Sequence, residues 1–436
     1  MIVKAQTKER GFMKTKTKIS LGILALISIG TVCSGVKAQS AFAFSEASST
    51  PNSIQEDFSD IHAGYGYENW GTKQYAPYFD MGAYPQNPRL LYDTMNDAGV
   101  NHAFLGFAVT DPKTDSLVWG GANTPIDTLA PNGRDMIYDD IRRLREEGKD
   151  VGIAFGGAGA TALPETVKNV ADAVKEYKAF IKSYGFTHID FDIEGNLTYQ
   201  SDANNERAEV IKNLTAELAA EGQPLKVSYT LALGAKGIEP KDLAIIEPCI
   251  NAGVDISKIN FMAFDYGEIS GTLEQTTETA LQNTHQTLKE VYAKYGYSKT
   301  DQEIWNLMGM TSMTTEDDQG HSYTPEDVDK SINFANTVGM NYLSMWSINR
   351  DSKDNDYLHP GQREGFYSSL FSKFQTNDGS KTPFKPIPSF ECPSYNVEIP
   401  YNAGARVHYK DKDYLCIGWA NPGDTPEKAT WAWRAL

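Results

Sequence analysis

The sequence predicts an α/β protein, a (β/α)8 barrel followed by a small all-β module. Three observations predict it. Apolar runs of strand length recur eight times between about residues 70 and 375. Amphipathic stretches of helical spacing separate them. After Phe374 the helical periodicity stops, and turn formers and aromatic residues take over. Strand and helix alternating over ~250–300 residues is the pattern of a closed parallel barrel. A doubly wound open sheet is the alternative, but no Gly-x-Gly-x-x-Gly follows the first run, which weakens a dinucleotide site.

In chain order, the first element is a targeting segment. Lys14, Lys16 and Lys18 precede an apolar run from Ile19 to Val32, and Val36-Lys37-Ala38 and Ala41-Phe42-Ala43 offer small-residue cleavage sites. Residues 1–43 therefore read as a secretory signal peptide, with Met13 as an alternative start. The run is short for the ~20 residues of a membrane span. The protein is expected to be secreted and extracellular, with no stable membrane association once the signal is removed. Residues 44–69 lead into the barrel.

The barrel is placed at residues 70–374. Its strands are read at 75–81, 102–109, 151–156, 188–193, 226–233, 259–266, 304–310 and 342–348. Helices are read at 138–147, 164–184, 206–221, 276–295 and 325–338. The last opens with Thr324 as cap, Pro325 in the first turn and acidic Glu326 and Asp327 beside it. Residues 375–388 have a linker composition, and residues 389–436 form the module.

The chain has 436 residues and a formal net charge of −17. That charge argues against nucleic acid or an anionic membrane as partner and favours a neutral polymer or small molecule. A monomer is expected. Besides Cys33 in the signal, Cys249 reads as a buried thiol, while Cys392 and Cys416 are close enough in sequence to staple the module.

The chemistry concentrates in Asp190-Phe191-Asp192-Ile193-Glu194. On a strand, residues two apart share a face, so the three acids stand in a row. Carboxylates crowded on an apolar strand repel one another and are costly to desolvate, so one holds a proton near neutral pH and serves as a general acid. Catalytic groups of parallel barrels sit at the C-terminal strand ends, which puts Glu194 at the mouth as proton donor. Asp192 lies one step deeper, roughly 6.6 Å below, and Asp190 another step down as the carboxyl that holds Asp192. A divalent-cation site is the competing reading, but no acidic partner elsewhere is evident; no metal and no organic cofactor is expected. His188 reads as a core histidine facing away from the acids.

Here the chain resembles the glycoside hydrolase family 18 chitinases, whose fourth barrel strand carries Asp-Gly-x-Asp-x-Asp-x-Glu. Residues 187–194 keep the last three acids, with Thr187-His188 in place of Asp-Gly. Ala154-Phe155-Gly156-Gly157 resembles the third-strand Ser-x-Gly-Gly, and Met262-Ala263-Phe264-Asp265 the sixth-strand Met-x-Tyr-Asp. Residues 343–351, with Trp346, resemble the eighth strand. The resemblance implies a TIM barrel that hydrolyses β-1,4 bonds between N-acetylglucosamine units with the substrate's own acetamido group as nucleophile. It implies substrate binding by Asp265, Tyr266, Met262 and Trp346. Phe264 lacks the hydroxyl of the family tyrosine, so that contact either passes to Tyr266 or weakens. The C-terminal segment resembles chitin-binding modules of families 5 and 12, which use a pair of adjacent tryptophans. Only Trp419 of the pair is present, after Tyr414, with Gly418 in the other position, while Trp431 and Trp433 read as module core. The expected partner is chitin or its oligosaccharides. An endo-β-N-acetylglucosaminidase of glycoprotein glycans and a non-catalytic chitin lectin are the alternatives.

Overall fold

The computed structural model describes residues 63–83, 91–121, 124–125, 136–351, 364–383, 385, 392–401 and 405–436. The signal segment, most of the lead-in and parts of the linker lie outside these residues.

Among the described residues, eight parallel strands form the centre. They are β1, in two pieces at Gln74–Tyr75 and Tyr78–Asp80, β2 (His102–Thr110), β3 (Asp150–Gly156) and β4 (His188–Ile193). Then come β5 (Lys226–Ala232), β6 (Ile256–Met262), β7 (Met308–Met313) and β8 (Tyr342–Trp346). Each pairs in parallel with the next from β2 to β8. The two pieces of β1 join the ends: Gln74–Tyr75 pairs with β8, and Tyr78–Asp80 with β2. This ring of pairings is that of a (β/α)8 barrel.

Helices cover the outside because their apolar stripes match the strands' outer faces. Val170–Tyr184 buries Ala173, Val174, Tyr177, Ile181 and Tyr184. Asn169 caps it by accepting from the N–H of Asp172, and Gly185, at φ 66°, ends it. That cap also splits the helix expected at 164–184, leaving the single turn Pro164–Val167 in front of it. On β4, Phe191 points outward, with its ring 5.6 Å from Phe155, 5.6 Å from Tyr177 and 5.4 Å from Tyr229.

Three further expectations shift. Residues 304–307 are helical rather than strand: Asp301–Leu307 is a helix, and β7 begins at Met308. The side chain of Thr300 accepts from the N–H of Glu303, whose carboxylate accepts from the N–H of Thr300. β6 begins at Ile256 and stops at Met262, because Asp265 turns the chain with φ 55°. His188 is buried, but on the same face as the acids, since residues 188, 190, 192 and 194 share strand parity. It forms the foot of their column, stacked on Trp70 at 3.9 Å, with His102 on Trp70 at 4.8 Å. Burial pushes His188 down to about 3 and His102 to about 4. Asp150 fixes this floor, accepting from Tyr67 N, Trp70 Nε1 and Arg145 Nε.

The C-terminal segment contains an antiparallel sheet of Arg406–Tyr409, Lys412–Cys416 and Trp433–Ala435. It packs against the barrel's helical layer. Arg406, buried, reaches Asp140 at 3.0 Å and Asp139 at 3.7 Å on helix Met136–Glu146. Arg434 reaches Asp93 at 2.6 Å. No disulfide joins Cys392 and Cys416, and Cys249 is a buried thiol beside the hydroxyl of Tyr229. Among the described residues, no helix is long and apolar enough to cross a membrane.

Candidate active site

Asp190, Asp192 and Glu194 climb the inner wall as a column. Asp190 is buried and held from two sides. Ser228 Oγ donates to Oδ1 at 2.6 Å, and Tyr78 OH donates to Oδ2 at 2.9 Å from across the ring. Burial pushes Asp190 up to about 6, against these hydrogen bonds. Asp192 is also buried, and its Oδ1 has no hydrogen-bond partner. Burial, then the charges of Glu194 and Asp190, hold it well above the ordinary carboxylate range. Glu194, partly exposed at the strand end, is raised to about 7 by burial and by Asp265, while the N–H of Ala158 opposes the shift. Asp190 therefore acts on Asp192 through its charge, its own oxygens being taken by Tyr78 and Ser228.

The loop after β3 makes room for this column. Gly156 and Gly157 have φ of 116° and 87°, and Gly157 donates its N–H to Asp192 O at 2.9 Å. A Cβ on Gly156 would stand 2.1 Å from that same carbonyl oxygen, so no other residue fits there. The next N–H, of Ala158, faces the Glu194 carboxyl.

Around the mouth, Trp346 is partly exposed at the end of β8. Its ring lies 5.8 Å from Phe107 at an interplanar angle of 16°, and 5.9 Å from Tyr78. The Trp346–Ser347 and Gly106–Phe107 peptides beside these rings are both cis. Asp265, after β6, is close enough for its charge to raise Glu194.

The sequence profile of the glycosyl hydrolases family 18 matches residues 65–432. The chain belongs to this family. A probable bifunctional chitinase/lysozyme of Escherichia coli K12 is 28% identical over 304 residues, covering 67% of this chain and 32% of that protein. Endochitinase 11 of Metarhizium anisopliae is 28% identical over 293 residues, covering 65% of this chain and 53% of its own length. The match thus spans a third to a half of these relatives. The crystal structure of the catalytic domain of a hyperthermophilic chitinase from Pyrococcus furiosus superposes with a TM-score of 0.58 at 25% identity, over 71% of this chain and 97% of that domain.

The other residues expected in this family 18 chain have their own surroundings. Tyr266 turns its hydroxyl to Thr277 Oγ1, 3.0 Å away on helix Leu273–Lys294. Met262 is buried at the end of β6. In the C-terminal sheet Tyr414 is partly buried, and Trp419 is 54% exposed. Trp433 is in the core, but Trp431, expected there too, is 69% exposed. It occupies a turn before the last strand, which leaves its ring no layer to enter.

Sequence reasoning missed the residues that seat the column. Ser228 and Thr230 lie level with Asp190 and Asp192 in the strand register, and Asn260 Nδ2 donates to Thr230 Oγ1 at 3.0 Å. Tyr78 OH is 2.6 Å from the same Thr230 hydroxyl. The signal was the period-two polar alternation of Ser228 and Thr230 on an apolar strand. Asp317, which accepts the N–H of Asp265, lies on a loop and left no periodic trace.

Proposed function

We propose that the chain is a secreted chitinase that cleaves β-1,4 bonds between N-acetylglucosamine units by substrate-assisted, retaining hydrolysis. The observation that carries this reading is the pairing of Glu194 with Asp192. One is a carboxyl at the barrel mouth, titrating near neutral pH; the other is buried below it with an unpartnered oxygen. Glu194 protonates the leaving glycosidic oxygen and later takes a proton from water. Asp192 accepts from the acetamido N–H through its free Oδ1, and in its ionised form it steadies positive charge on the ring formed when the acetamido oxygen attacks the anomeric carbon. Asp265 orients the acetamido group, and Trp346 floors the sugar. The hydroxyl of Tyr266 bonds Thr277 Oγ1, which favours Asp265 for the orienting role.

Relatives named as chitinases support the substrate, and the raised proton affinity of Glu194 supports catalysis over a lectin role. Glu194→Gln is expected to lose ~10³-fold in turnover, because the amide cannot donate a proton. Undiminished hydrolysis of chitohexaose by that variant overturns the mechanism. Products of β configuration at early times are required by retention. Release of glycan from a glycoprotein, with chitohexaose untouched, points instead to the endo-β-N-acetylglucosaminidase.

The C-terminal segment is assigned to chitin binding, with Trp419 and Tyr414 as contacts and exposed Trp431 as a further candidate. Indoles present broad apolar faces at low ordering cost. Trp419→Ala is expected to lower retention on insoluble chitin while soluble oligomers are cleaved at the original rate. Equal losses on both substrates reject this role.

A further inference from the structure

The chain that follows β7 forms a small hairpin, Thr315–Glu316 against Ser322–Tyr323. Its turn is organised by one carboxylate. Asp317 Oδ1 accepts the N–H of Gln319 at 3.0 Å and of His321 at 2.8 Å. Those two bonds are enough to cap a turn. The other oxygen does something the turn does not need. Oδ2 accepts the N–H of Asp265, 2.8 Å away and 52 residues earlier in the chain. His321 Nδ1 supports the same oxygen from 3.0 Å. A second bond closes the contact, as the N–H of Asp318 donates to Asp265 Oδ1 at 2.8 Å.

The hairpin thus grips Asp265 by backbone and side chain together. The φ of 55° at Asp265 is the left-handed conformation, which Asp adopts more readily than most residues with a Cβ, and here two hydrogen bonds hold it. The hairpin is itself anchored. Arg350 Nη2 donates to Glu316 O at 2.6 Å, and Tyr367 OH to Tyr323 O at 3.0 Å. The N–H of Thr314, just before the hairpin, reaches Trp346 O at 3.4 Å. One loop therefore ties together the chain after β6 and the end of β8, the two places that carry Asp265 and Trp346.

We propose that Asp317 is a positioning residue for the reaction, holding Asp265, which follows β6, in its left-handed backbone conformation. The charges bearing on Asp265 are Asp317 and Asp318, Asp265 in turn bears on Glu194, and His321 Nδ1 lies 3.0 Å from Asp317 Oδ2. Burial and the charges of Asp317 and Asp318 raise Asp265. Burial would raise Asp317 too, but the donors from Asp265 and His321 outweigh it and keep Asp317 ionised. An ionised acceptor makes the stronger bond to the Asp265 N–H.

The test is a double-mutant cycle on chitohexaose, read as pH–rate profiles together with melting temperature. Asp317→Asn is expected to lower kcat about tenfold through misplacement of Asp265. It also moves the basic limb of the profile to lower pH, because Glu194 loses a nearby negative charge. Asp317→Glu, which keeps the charge, returns part of that shift. In an Asp265→Asn background, Asp317→Asn causes no further movement of the limb. If the limb stays put in Asp317→Asn, or moves equally whether or not Asp265 is intact, Asp317 only folds its turn. Should Asp317→Asn fail to fold, Asp318→Pro, which deletes the N–H held by Asp265 Oδ1, must move the limb the same way or the proposal fails. The inference rests on Glu194 as the acid. A fully active Glu194→Gln removes that basis, whereas an inactive Glu194→Gln with a neutral Asp317→Asn rejects this proposal alone.

Discussion

Asp192 carries the largest conflict between stability and chemistry at the residue scale. It is buried, lies between two other acids and leaves one oxygen unsatisfied. Its proton affinity is raised in the folded chain relative to the unfolded one. The native state therefore binds the extra proton, and its advantage is complete below the ordinary carboxylate value near 4 and is lost as pH rises. Asp192→Asn removes the titrating group. The variant is expected to melt higher than the parent at pH 8, with the difference shrinking as pH falls toward 4, while hydrolysis is lost. A difference that grows with acid reverses the assignment. Glu194 gives the kinetic counterpart. With Glu194 as the proposed acid, its value of about 7 is expected to set the basic limb of the rate profile, so activity measured against pH should fall above neutrality.

β4 shows at the element scale why the active strand keeps its place despite three acids. Phe191 is fully buried among Phe155, Tyr177 and Tyr229, and Ile189 and Ile193 share its outward face. Phe191→Ala is expected to cost ~3–5 kcal/mol, measured by denaturant unfolding, because the aromatic cluster cannot collapse around the gap. A loss below about 1 kcal/mol shows that the outer face does not anchor the strand. Such strands were legible because residues buried on both faces make unbroken apolar runs. The three acids were legible because nothing in packing explains charge on such a strand. β7 was misplaced because Ile304, Trp305 and Leu307 prolong the apolar run, although Thr300 and Glu303 spelled a helix start. The supports of Asp190 and Asp265 were harder to read. Tyr78 reaches Asp190 from 112 residues away and Asp317 reaches Asp265 from 52, and pairings that distant are set by ring closure rather than by local pattern.

The whole molecule is held together in part by a buried charge cluster between the C-terminal sheet and the barrel. Arg406 is 1% exposed and faces Asp139 and Asp140. Burial raises Asp140 to about 6 even with Arg406 beside it, so desolvation outweighs the attraction of the pair. The pair adds little net stability, yet breaking it strands a charge. Arg406→Met is expected to cost ~3–5 kcal/mol at pH 8, seen as a lower melting temperature. The sign of its pH dependence follows from Asp140. Without the guanidinium the folded chain holds the Asp140 proton still more tightly than the unfolded chain does, so the penalty is small near pH 5 and grows as pH rises through 6. Removing residues 392–436 deletes the same partner, together with that of Asp93. Truncation should therefore lower barrel stability and activity on soluble oligomers as well as on insoluble chitin, and the point substitution at Trp419 is the cleaner probe of binding. A truncated chain that melts at the parent temperature at pH 8 shows that the C-terminal sheet stands apart from the barrel and that Arg406 is no clamp.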